Sequence, residues 1–293
     1  YILHGGKEIL DKKRLIIILA AMIFIVAGIV VSIIYNKLLV DKFSWLLILS
    51  AVTGIILSVF NRIKAKQTVF DNGQIIRHKV SGFISHWITA LGIITLLITG
   101  FIIGFLFFPH LANTPASVIL PLNIHFLGIL IATFGGFYFL AGYLLSKKIS
   151  TLLPSIKDIT QGTIKKYLFK QKYKNESKYL SSQKSAFLVF SLLGGMLFIS
   201  GIIKVAAHSW KMPSMFLAIT TQVHDVFALL FFIMLLVHII MALLLANHRV
   251  LLKSWFNGKI NEQYVKEEHG AWYEELKTVS SVKNTTPKKG EQI

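Results

Sequence analysis

The sequence predicts an all-α integral membrane protein: a four-helix bundle preceded by two extra N-terminal transmembrane helices, with both termini cytoplasmic. Three observations carry that prediction. Of 293 residues, 54% are hydrophobic and only 15% charged, and the mean hydropathy is +0.65, well outside the usual composition of soluble domains. The apolar residues gather into six runs, each long enough to cross a ~30 Å hydrocarbon layer. The basic residues cluster in alternate connections, as the positive-inside rule requires.

The runs are Leu15–Ile34, Ser44–Phe60, Phe83–Phe108, Leu122–Leu145, Ala186–Ile203 and Met215–Ala246. The first is not read as a cleaved signal peptide, because no A-x-A-like site follows it and a second run comes close behind. Of the 31 Lys and Arg, 27 lie before the first run, between the second and third, between the fourth and fifth, and after the sixth. The other connections hold only Lys37, Lys42, Lys204 and Lys211. That asymmetry places both ends of the chain in the cytoplasm. It also accounts for the net charge of +18 without nucleic acid as a partner.

The outer connections Tyr35–Phe43, Pro109–Pro121 and Lys204–Ser214 are too short for a soluble domain. The inner connection Ser146–Lys184 carries ten Lys against Asp158 and Glu176. Its Leu152, Leu153, Ile156, Ile159, Ile164, Leu168 and Phe169 suit a helix lying at an anionic lipid surface; partner docking is the other reading. The expected domains are 1–62, the N-terminal helix pair; 63–278, the four-helix domain; and 279–293, a polar, disordered tail.

There is no cysteine, which removes disulfides, thiolate-held iron–sulfur clusters and C-x-x-C-H haem attachment. Any redox centre must be held by His or Met, with electrons exchanged with another polypeptide or a diffusible carrier. Histidine supplies the candidates. His224 and His238 lie 14 residues apart in the sixth run, ~21 Å along a helix and on nearly the same face. With the topology above, His125 enters the fourth run near its outer end and His86 enters the third near its inner end. Depth then pairs His125 with His224 outside and His86 with His238 inside. Ionisable side chains inside a span are costly and point to function; four of them at two matching depths argue against structural accident.

Two neutral imidazoles on opposite sides of an apolar slot suit bis-histidine b haem. Zinc wants four converging ligands, and a proton relay wants acids, of which the spans hold only Asp225 at an outer edge. The expected cofactors are therefore two haem b, the inner iron on His86 and His238, the outer on His125 and His224. Gly92, Gly100, Gly104, Gly128, Gly135, Gly136, Gly194, Gly195 and Gly201 open helix surfaces either to a porphyrin face or to a neighbouring helix. Arg77, Lys79 and Arg249 at the inner end, and Lys204 or Lys211 outside, offer cations for propionates, although snorkelling accounts for them equally. His4, His78, His110, His208, His248 and His269 are read as surface or supporting residues, with His78 the strongest rival for an inner ligand.

Ser85-His86-Trp87 followed by Thr99-Gly100, the spaced pair His224 and His238, Lys178-Tyr179-Leu180-Ser181-Ser182-Gln183-Lys184, and the run from Val265 to Glu275 with His269 and Trp272 together resemble the cytochrome b (gamma) subunit of respiratory formate dehydrogenase. The resemblance covers about Arg77–Leu276. Its H-W and T-G elements are also shared by hydrogenase and thiosulfate-reductase cytochromes b. It implies a four-helix dihaem cytochrome b bundle taking electrons from a catalytic oxidoreductase subunit, through an iron–sulfur subunit, to the outer haem, the inner haem and then menaquinone. It further implies quinone contacts at His238 and the segment Leu180–Gln183. Leu180 and Ser182 stand where that family has Asn and Gly, while Gln183 matches. The expected function is thus electron transfer within an oxidoreductase complex, with a quinone-reducing site and no catalytic side chain of its own. The alternatives are the same role for a hydrogenase or a sulfur- or nitrogen-oxide oxidoreductase, or a haem-free transporter.

Overall fold

The computed structural model describes residues 12–63, 70–71, 73–104, 109–147, 149–171, 173 and 176–285; His4 lies outside them. Helix α1 (Lys12–Tyr35) ends where Asn36 turns to positive φ with its N–H on the Ser32 carbonyl, a left-handed stop that asparagine tolerates. A helical turn at Leu39–Phe43 leads into α2 (Leu46–Ile63). Helix α3 (Val80–Ile103) carries a π-helical turn at Ile84–Ile88 and stops at Gly104, φ 119°. Helix α4 spans Pro115–Leu145, α5 Ser181–Ala206 and α6 Ser214–Leu244. After an extended Leu245 comes α7 (Ala246–Asn257).

All but one of the predicted spans give helices long and apolar enough to cross a membrane: α1, α3, α4, α5 and α6. In α2 the apolar stretch is the shorter Leu46–Asn61. Two helices, α4 and α5, begin more than a turn before their apolar runs. Helix α4 starts at Pro115 because Thr114 accepts from the Ser117 N–H in a reciprocal cap, and a proline suits the first turn. Pro121 then sits inside the helix. Helix α5 starts at Ser181, whose N–H donates to the Glu176 carboxylate at 2.7 Å.

The chain forms two compact units. The first holds α1 to α4, α6, α7 and most of α5, and α4 is its most enclosed span. The N-terminal pair packs directly on α4. Gly28 lies against Leu127, a Cβ on Gly54 would sit 2.5 Å from the Phe134 carbonyl oxygen, and the Ser50 hydroxyl donates to the Leu130 carbonyl at 2.6 Å. At the other end of the pair, Asn123 is fully buried and satisfied: its amide donates to Ser32 Oγ and the Lys37 carbonyl and accepts from the Leu39 N–H. Leu39, Val40, Phe126 and Leu130 form the core around it. Helices α3 and α4 touch backbone to backbone, since a Cβ on Gly92 would lie 2.5 Å from Ala132 N and one on Gly135 would strike Thr89. Helices α3 and α6 instead meet through side chains such as Phe101 and Phe232, centroids 5.0 Å apart.

The second unit is polar and small. Strands β1 (Phe70–Asp71), β2 (Gln74–Ile76) and β3 (Lys259–Asn261) pair antiparallel in that order, with Ile75 opposite Ile260. Helix α8 (Glu262–Glu268) is capped by Asn261, and α9 runs Gly270–Thr285. It continues the helix into the expected tail; residues 286–293 lie outside the described residues. The connection expected to carry a helix holds a π-helical stretch, Asp158–Lys165, and Ile156, Leu168 and Phe169 are largely exposed there. Its two acids are not on the surface. Asp158 binds Ser155, Ser181 Oγ and Lys184, and Glu176 binds Lys166 and Ser181.

Candidate haem centres

His86 sits in the π-turn of α3 and His238 four-fifths of the way along α6. Their ring centroids are 6.5 Å apart with planes 58° apart. A metal held between two imidazole nitrogens at ~2 Å each would set the ring centres about 6 Å apart. The π-turn matters, because such turns shift the register of the side chains around them and recur at functional sites. Around the pair the neighbours are aromatic: Trp255 of α7 stacks on His86 at 4.3 Å, and Phe190 meets His238 edge-on at 5.6 Å.

His125 and His224 are arranged differently. His125 Nδ1 is 2.8 Å from Thr99 Oγ1 of α3, and His224 Nδ1 is 2.9 Å from Ser200 Oγ of α5. Each hydroxyl already donates its proton to a carbonyl one turn back, Thr99 to Thr95 and Ser200 to Met196. With the hydroxyl protons on those carbonyls, the hydroxyl oxygens accept from Nδ1, an arrangement that leaves each Nε2 lone pair for a metal.

The glycines divide. Gly92, Gly128 and Gly135 are consumed by α3–α4 packing, whereas Gly136 and Gly195 face open space and a Cβ on Gly201 would approach His224 only to 3.7 Å. The facing His86 and His238 rings, the imidazoles of His125 and His224 held on Nδ1 and helix surfaces cleared of side chains fit b-type haem.

The remaining predicted residues are placed as follows. Lys79 is exposed at the start of α3. Arg77, in the second unit, is buried and donates to the Lys178 carbonyl and to Gln183 Oε1, which also accepts from the Leu180 N–H. Ser182 Oγ lies 3.2 Å from the Tyr167 hydroxyl. Arg249 donates to the Leu243 carbonyl at the end of α6. His208 pairs with Asp41 at 2.7 Å, and His78 stacks on Trp255. His269 is fully buried and donates from Nδ1 to the Ser177 carbonyl at 2.6 Å. Burial first, then the nearby Arg77 and Lys166 charges, depress its pKa to about 3. Asp158 is also held below the usual carboxylate range: burial would raise it, but hydrogen bonds from Ser155 and Ser181 and the Lys184 charge outweigh that. Sequence reasoning missed Thr99 and Ser200 as partners of the outer histidines and Trp255 as a neighbour of His86.

Residues 77–258 match the family profile of prokaryotic cytochrome b561. The chain belongs to the prokaryotic cytochrome b561 family. The match covers α3 to α7 and all four paired histidines, and stops short of α1 and α2. No curated protein matches the chain. Membership makes this a haem b-binding, electron-transferring cytochrome b, and with the apolar helices it makes the chain a multi-pass protein of a prokaryotic cell membrane.

Proposed function

We propose that this b561-family chain is a dihaem electron-transfer subunit, passing electrons between a partner oxidoreductase and the menaquinone pool. His86 and His238 hold the inner haem, and His125 and His224 the outer. The observation that carries this reading is the facing of His86 and His238 at 6.5 Å, with the outer rings each keyed by a hydroxyl that leaves Nε2 unprotonated. Held there, b haem would supply one-electron transfer.

The chain's residues then have these roles. Thr99 and Ser200 orient the outer rings and set their tautomer. Arg77 and Lys79, by their place ahead of the third span, are the proposed partners of inner propionates; the formate dehydrogenase resemblance supports the segment holding Ser182 and Gln183 as the proposed quinone contact. With both termini cytoplasmic, quinone reduction takes its protons from the cytoplasm. Electrons arrive from an iron–sulfur subunit of a formate dehydrogenase-like complex docked on the outer face. A hydrogenase or a sulfur- or nitrogen-oxide oxidoreductase would use the same path, and the metal of the copurifying large subunit separates these cases. The test is to reduce the purified protein in liposomes and add a water-soluble menaquinone analogue: rapid oxidation of the reduced α-band supports the reading, and a band that stays reduced refutes it.

A further inference from the structure

Trp255 is the residue that the proposed electron path does not yet use. Its indole lies 3.7 Å from the His78 ring at 14° and 4.3 Å from the His86 ring at 20°. Two imidazoles at those separations do not fit side by side on one face of an indole, so Trp255 is sandwiched between them. His78 is itself buried, and its main chain is gripped from two directions: its N–H donates to the Gly258 carbonyl at 3.1 Å, and its carbonyl accepts from Arg14 of α1 at 3.1 Å. The other arm of the same guanidinium holds the Phe256 carbonyl at 2.5 Å, next in sequence to Trp255. Gly258 is left-handed, φ 78°, and a Cβ there would strike both Arg14 and the His78 carbonyl. Arg14 and Gly258 thus hold the main chain at His78 and beside Trp255.

We propose that Trp255 is a positioning residue of the inner centre, fixing the plane of the His86 imidazole by stacking on it, with His78 backing the indole and Arg14 of α1 holding the clamp. This rests on the reading of His86 and His238 as ligands of one haem. The outer rings are oriented by hydroxyls on Nδ1; the inner ring is oriented through its face. Partners that fix ligand orientation tune a metal centre as much as the ligands themselves, and stacked aromatic pairs hold a defined geometry. The proposal also gives α1, which lies outside the matched family segment, a part in the inner centre.

The experiment compares ferric low-spin EPR spectra and redox titrations of the purified holoprotein with those of Trp255→Leu and Trp255→Phe. The expected result for Trp255→Leu is full haem content, with the inner signal shifted in its highest g value and broadened, its midpoint potential moved, and the outer signal unchanged. Trp255→Phe, which restores a stacking face, should return the inner signal to the wild-type position. An inner signal and potential untouched in Trp255→Leu would overturn the proposal. Should Trp255→Leu fail to accumulate, His78→Leu carries the test, with a shift of the inner signal in support and an unaltered one against. A wild type lacking haem, or a His86→Ala variant keeping both haems, would instead refute the ligand reading beneath it.

Discussion

At the scale of single residues, the two proposed centres differ in how their histidines are held. Outside, the Thr99 and Ser200 hydroxyls accept from imidazole Nδ1 because their own protons are already committed to carbonyls in the preceding turn. Such a bond raises the basicity of the ligand, which favours the ferric state. Thr99→Val should therefore raise the outer midpoint potential in a redox titration and weaken outer haem retention ~10- to 100-fold, with the inner couple unmoved. That His86 and His238 face each other was legible in the sequence, because topology puts both near the inner ends of their spans. The hydroxyl partners of the outer histidines were not: Thr99 and Ser200 look like any back-bonded hydroxyl in a span until the neighbouring helix is in place. The same holds for Trp255, which reaches His86 from a different helix.

At the scale of elements, α4 organises the first unit. Asn123 makes three hydrogen bonds, two of them buried, to α1 and to the segment that follows it. Asn123→Ala leaves the buried Leu39 N–H unmet, so it should cost about 1–3 kcal/mol, read as a lower midpoint of detergent unfolding. Gly135→Leu would force α3 off α4 at Thr89 and should sharply reduce folded protein in membranes. Gly136→Ala, with open space at that Cβ, should fold. That contrast separates glycines spent on helix packing from glycines that clear a surface, a distinction the sequence leaves open because both uses put small residues at helical spacing. The spans themselves were readable from hydropathy. The early starts of α4 and α5 were not, since Thr114 and Glu176 act as caps only through geometry that composition does not record.

At the scale of the whole molecule, membership of the prokaryotic cytochrome b561 family and the arrangement of histidines meet in one account, while the second unit sets its limits in acid. His269 is buried neutral with its pKa depressed to about 3 from 6.5. The unfolded chain therefore binds a proton that the folded one refuses. The stability this group contributes is complete above pH 6.5 and is lost progressively as pH falls towards 3. Asp158, held below 3.8, adds a loss at still lower pH by the same sign. Limited proteolysis across that range should show the segments around Asp158 and His269 opening as pH falls, and His269→Gln should flatten the upper part of the profile. The account turns on pairing, and pairing is measured most directly by EPR of the purified holoprotein and its four single His→Ala variants. Two low-spin ferric signals are predicted, one lost alike in His86→Ala and His238→Ala, the other lost alike in His125→Ala and His224→Ala. Loss of different signals within either pair, or both signals surviving in all four variants, would contradict it.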